Sequence, residues 1–100
     1  MDKVLTLDEI KKIATKVAIK HELKRVVLFG SYANGNATKK SDLDFIIDFK
    51  EDARPTYFDL FDIQDSFNDA AGRKVDVLTY GGLENSYIEI GREVLLYELQ

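Results

Sequence analysis

The chain contains no cysteine and a single histidine, His21. Without cysteine there is no disulfide framework and no thiolate metal or redox centre, and one imidazole cannot build a zinc site of histidines. The metals left open are the hard ones that carboxylates hold. Apolar runs are short: none approaches the ~20 residues a bilayer span needs, and Met1-Asp2-Lys3-Val4 does not open a basic, then apolar, then small-residue leader. The expectation is a soluble, cytoplasmic protein with no membrane partner. Basic residues are the minority, 14 against 18 acids for a net charge of −4, so the overall field repels a phosphate backbone and direct nucleic-acid binding is not expected. A single nucleotide held through a metal ion is compatible with this composition, because the cation inverts the local charge. Repeats, low-complexity tracts and Pro/Ser-rich linkers are also missing. What is present is 100 residues, 45% of them hydrophobic and 11% aromatic, enough for one globular domain over residues 1–100 and no second.

Thr6-Leu7-Asp8-Glu9 has the form of a capping box, and Ile10, Ile13, Ala14, Val17 and Ala18 follow at helical spacing. This predicts an amphipathic helix from about Leu7 to His21, with Lys20 and His21 suited to its negative end. Arg25 to Phe29 is a continuous β-branched and aromatic run stopped by Gly30, as in a strand buried on both faces. A turn over Gly30 to Ser41 leads to a second strand, Asp42 to Phe49. Its Leu43, Phe45, Ile47 and Phe49 share one parity, and Asp42, Asp44, Ile46 and Asp48 the other. Pro55 sits where a first helical turn tolerates it, and Tyr57, Leu60, Phe61, Phe67 and Ala71 recur at helical spacing until Gly72 stops them. Lys74 to Thr79 reads as a third strand ended by Gly81-Gly82. Leu83 to Gln100 starts as helix, and Val94 to Tyr97 either continues it or forms a short fourth strand. The order predicts an α/β (α+β) domain, a small mixed sheet of three to four strands flanked by helices.

The chemistry is concentrated in Gly30-Ser31 and Ser41-Asp42-Leu43-Asp44. Residues i and i+2 of a strand face one way about 6.6 Å apart, so Asp42 and Asp44 aim their carboxylates together. Such acids can share divalent cations that clamp the attacking and leaving oxygens of an in-line displacement at phosphorus. Asp76 is the candidate third acid, because hydrophobic neighbours make an unpaired charge there costly, and pairing of the third strand with the second would bring it to the cluster. Asp48 shares the parity but lies about 13 Å beyond Asp44 at strand rise, too far to hold the same ions. Gly30 lets the backbone approach a ligand, Ser31 offers a hydroxyl and a capping position, and backbone N–H groups at such a turn suit an anion. No GxxxxGK follows, so this is not a P-loop.

Gly30-Ser31-Tyr32-Ala33-Asn34-Gly35 with Ser41-Asp42-Leu43-Asp44-Phe45 resembles the signature of the DNA polymerase β-like nucleotidyltransferase superfamily, in particular its minimal nucleotidyltransferase (MNT) branch. In that branch a GSYARG stretch leads to SDxDL. The likeness is specific over residues 25–49, and Lys74-Val75-Asp76-Val77 and Gly91 to Glu98 look like the family's third-acid strand and ending. Asn34 stands where an Arg is common. The resemblance implies the nucleotidyltransferase fold, with Asp42 and Asp44 binding both of two Mg²⁺ ions. Asp76 would bind one ion and help deprotonate the acceptor hydroxyl, while Gly30 and Ser31 would hold the β and γ phosphates of ATP. It further implies an antitoxin encoded beside a HEPN-domain ribonuclease toxin, moving AMP from ATP to a tyrosine of that toxin. The small size fits a protein acceptor, because larger nucleotidyltransferases carry a second domain for theirs.

Plainer expectations stand beside these. A bare pair of strand aspartates is more often a solvated edge, and the upstream Gly-Ser and downstream Asp76 are what raise it to a site. Lys39 and Lys40 read as solvated loop residues, His21 as a helix-end residue without chemistry, and Tyr57, Phe61 and Phe67 as one core stripe. Phe58, off that stripe, and Leu95, Leu96 and Tyr97 are candidates for a partner surface. Two other functions are weighed: a binding antitoxin that occludes its partner without catalysis, and a small-molecule transferase of the aminoglycoside type. An EF-hand is not supported, since Asp42 and Asp44 lack the Gly and distal Glu of that loop.

Overall fold

The structure, a computed structural model, describes residues 4–79 and 92–99. Helix α1 runs from Leu7 to Lys20 and opens with the expected capping box. Glu9 N–H donates to Thr6 Oγ at 3.1 Å and Thr6 N–H donates to Glu9 Oε1 at 3.0 Å, an arrangement worth about 1 kcal/mol. Ile10, Ala14, Val17 and Ala18 form its buried face. His21 caps the end, with its Nε2 2.8 Å from Ser66 Oγ on the second long helix. Burial and then neighbouring Lys20 lower its pKa. Lys20 is the basic residue of the last turn.

Strand β1, Leu23–Phe29, begins two residues before the expected Arg25. It is buried on both faces as predicted, with Val26 and Leu28 in the main core and Val27 and Phe29 in a smaller cluster with Ile46. The turn that follows contains a helical element the sequence reading missed, α2, Ser31–Asn34. Its cap is Gly30 and Ser31 is its first helical residue, so the Ser31 hydroxyl does not cap it. Strand β2 spans Leu43–Phe49, leaving Asp42 exposed just ahead of it.

Helix α3 covers Tyr57–Ala71, and Thr56 caps it through a second box with Asp59. Pro55 therefore precedes the cap instead of occupying the first helical turn. Gly72, in the left-handed region at φ 66°, ends the helix and donates its N–H to Asn68 O at 2.9 Å. Strand β3, Val75–Thr79, is followed after the undescribed residues by β4, Val94–Glu98. The choice left open for residues 94–97 is thus resolved as strand, while Gly81-Gly82 and the helical reading from Leu83 lie outside the described residues.

The sheet order is β3-β2-β1-β4, with β1 antiparallel to both neighbours and β2 parallel to β3, so it is mixed as expected. Parallel β2 and β3 need a crossover, and α3 supplies it. Both long helices cover one face of the sheet, where Phe67 of α3 stacks on Phe45 of β2 with ring centroids 4.6 Å apart. The inward stripe of α3 is Leu60, Ile63 and Phe67, and Tyr57 and Phe61 stand 79% and 64% exposed. Their assignment to the core is corrected: a 3.6-residue period fits more than one phase, and Ile63 sets the one observed. Leu96 is buried, which removes it from any partner surface, whereas Leu95 is exposed.

Candidate active site

The alternation in β2 sends Leu43, Phe45 and Ile47 toward the helices and Asp44 to the opposite face. The parallel register sets Asp44 directly across from Asp76 of β3, about 4.8 Å away at the usual strand spacing. On the other side, the antiparallel register pairs Asp44 with Phe29, the last residue of β1. Gly30 follows at once, so the Gly-Ser turn lies against the acid. The approach is close enough that a Cβ on Gly30 would overlap Asp44 Oδ2 and sit 3.1 Å from its Cγ. Gly30 also adopts φ 76°, a conformation costly for other residues. Glycine is required here on both counts.

Asp44 and Asp76 are partly buried and Asp42 is exposed. The Asp44 pKa is pushed up to about 6, first by burial, then by the charge of Asp76 and a hydrogen bond to its carboxyl, and last by the charge of Asp42. Both other predicted acids thus act on Asp44 electrostatically. The ion pairs among the described residues, Arg25 with Asp48 at 3.2 Å and Lys50 with Glu22 at 3.9 Å, do not involve them. Asp48 is occupied by Arg25, its cross-strand neighbour, in keeping with its exclusion from the cluster.

Clustered carboxylates with mutual repulsion fit a divalent cation. Among the described residues no three acidic or imidazole side chains close into a ligand shell by themselves.

Several supporting contacts were missed in the sequence. Val75 N–H donates to Asn68 Oδ1 at 2.9 Å, and Gln64 Nε2 donates to Asn68 Oδ1 at 3.2 Å and to Val75 O. Two polar side chains one turn apart on α3 therefore fix the start of β3, immediately before Asp76. Asn34 Nδ2 donates to Gly30 O at 3.0 Å while its Oδ1 accepts from Arg92 N–H at 3.3 Å, joining the turn to the approach to β4. Tyr32 Oη accepts from Arg73 Nη1 at 3.1 Å. Lys39 and Lys40 are exposed, as expected of solvated loop residues.

A groove of about 600 Å³ lies at the other end of β2, near Asp48, Pro55 and Leu60. It does not include the acids.

The nucleotidyltransferase domain family matches residues 10–95. A Methanocaldococcus jannaschii protein, provisionally named a protein adenylyltransferase, is 38% identical over 88 residues, covering 84% of this chain and 88% of the relative. A protein adenylyltransferase of Thermococcus cleftensis is 31% identical over 99 residues, covering 92% of this chain and 96% of its own. A chain in a solved complex of the tri-AMPylated Shewanella oneidensis HEPN toxin with MNT antitoxin shares the fold, with a TM-score of 0.66 at 13% identity. It covers 94% of this chain and 74% of its own.

Proposed function

The chain belongs to the nucleotidyltransferase domain family, and from that premise we propose that it transfers AMP from ATP to a tyrosine hydroxyl of a HEPN-domain toxin encoded beside it, as a cytoplasmic antitoxin. The relatives named as protein adenylyltransferases support the adenylyl group and the protein acceptor. The observation that carries the assignment to residues is the register that sets Asp44 across from Asp76 with Gly30 built against Asp44.

In this reading Asp42, Asp44 and Asp76 would hold two Mg²⁺ ions together with the phosphates of ATP. The ions, when bound, supply charge neutralisation for an in-line displacement at phosphorus. Gly30, lacking a side chain, leaves room for the triphosphate beside the acids, and the N–H groups at Gly30 and Ser31 receive the β and γ phosphates. Asp76, held in place through Val75, accepts the proton of the acceptor hydroxyl. The hydroxyl oxygen then bonds to the α-phosphorus as the bond to the β-phosphate bridging oxygen breaks, and pyrophosphate leaves.

The test is transfer from α-labelled ATP with Mg²⁺ to the product of the neighbouring gene. Asp42→Ala and Asp44→Ala should each remove most labelling, since positioning and charge neutralisation carry this chemistry. Undiminished labelling by either variant sinks the assignment.

A further inference from the structure

We propose that the outer stripe of α3, formed by Phe58, Phe61, Asp62 and Asp65 with Tyr57 at its flank, is the docking surface for a basic amphipathic helix of the acceptor protein. The proposal rests on the reading above that the acceptor is a protein.

Tyr57 and Phe58 are each 79% exposed and Phe61 is 64% exposed. At roughly 150–250 Å² per fully buried ring, they offer on the order of 400 Å² of apolar surface, within the size range where an exposed patch is often functional. Residues three and four apart share a helix face, so Phe58, Phe61, Asp62 and Asp65 form one stripe, which Asp69 continues. From Pro55 to Gly72 the chain carries no Lys or Arg. The surface is thus aromatic at its N-terminal end and purely acidic beyond it. Its complement is a helix with apolar anchors at one end of a stripe and Lys or Arg along the rest.

A second copy of this chain fits poorly. A two-fold pairing of α3 on α3 would set Asp62 and Asp65 against their own equivalents. The groove between the start of α3 and the ends of β2 and β3, lined in part by Phe49, Pro55, Tyr57 and Leu60, is open to an apolar side chain from the same partner. Phe49 is five residues beyond Asp44, about 17 Å at strand rise. Helix α3 covers the face of the sheet opposite Asp44, so the docking residues hold the acceptor without touching the reacting atoms.

The probe is the neighbouring-gene HEPN-domain protein, and the variants are Phe58→Ser/Phe61→Ser and Asp62→Lys/Asp65→Lys. All these side chains are exposed, and circular dichroism checks that each variant folds. Calorimetric binding and AMP transfer across a range of acceptor concentrations should show at least a tenfold weaker complex and an equally raised acceptor KM for both. The KM for ATP and the rate at saturating acceptor should stay at the wild-type values. The wild-type complex should weaken with added salt, and the charge-reversed variant should lose that dependence. Wild-type-like binding by either variant overturns the proposal. So does a dimer of the lone protein in light scattering that Phe58→Ser/Phe61→Ser dissolves, which would make the stripe a self-interface. If the wild type neither binds nor modifies this acceptor, the reading of its function fails, and the docking site with it.

Discussion

Replacing Asp44 with Asn should stabilise the cation-free protein while abolishing transfer. The carboxyl is a partly buried member of an acidic cluster, and its pKa is raised from 3.8 to about 6. At ~1.4 kcal/mol per pH unit, this rise corresponds to about 3 kcal/mol against the folded state when Asp44 is ionised. Asp44 keeps partial solvent access, so screening reduces the effect to on the order of 1–1.5 kcal/mol. Below about pH 3, folded and unfolded chains both hold the proton and there is no penalty. As pH rises through 3.8 the unfolded chain ionises first and the penalty grows, and above about 6 it is complete. An amide at position 44 can still hydrogen-bond Asp76 and carries no charge. For a domain this size, where 1 kcal/mol moves Tm by roughly 4–8 °C, Asp44→Asn should melt about 5–10 °C above wild type at pH 7 in EDTA. The gap should shrink to a small fraction by pH 4 and vanish below about pH 3. Added Mg²⁺ with ATP should raise the wild-type Tm and narrow the gap, because ligand binding to the folded state alone stabilises it. The reasoning is refuted if the variant melts at or below wild type at pH 7 without divalent cation, or if the gap is unchanged at pH 4.

Three further outcomes follow from the packing around the site. Gly30→Ala should lower stability by about 2 kcal/mol or more, from the positive φ and the overlap with Asp44, and should remove most transfer, read by denaturant melts and a labelling assay. Asn68→Ala leaves the Val75 N–H without its partner, which should cost about 1–3 kcal/mol. It should lower kcat more than the KM for ATP, as expected of a residue that positions Asp76. Phe67→Ala removes the ring stacked on Phe45 and should cost about 3–5 kcal/mol in a urea titration, with the surviving folded fraction still binding ATP.

The sheet and its acids were legible because two local signals agreed. The alternation of Leu43 to Phe49 fixed which parity faces the core, and the i, i+2 placement of Asp42 and Asp44 followed from it. Asp76 needed one further fact, the parallel pairing of β2 with β3, which short hydrophobic strands suggest without specifying. The phase of α3 was misread because Tyr57 and Phe61 satisfy helical spacing as well as Leu60, Ile63 and Phe67 do. Only packing against Phe45 tells the two stripes apart. Residues 94–97 were ambiguous because four apolar residues suit either helix or strand, and the pairing with β1 decided it. The clamp of Gln64 and Asn68 on Val75 and the bridge from Asn34 to Gly30 and Arg92 join segments far apart in sequence, so no local pattern announces them. No helix among the described residues is long and apolar enough to cross a bilayer.

The most direct test of the central claim is the intact mass of the neighbouring HEPN-domain protein after incubation with this chain, ATP and Mg²⁺. The account predicts a gain of one or more AMP masses that disappears with the Asp42→Ala/Asp44→Ala double variant. A stable complex with no mass gain from any nucleoside triphosphate would contradict it and leave an antitoxin that acts by occlusion alone.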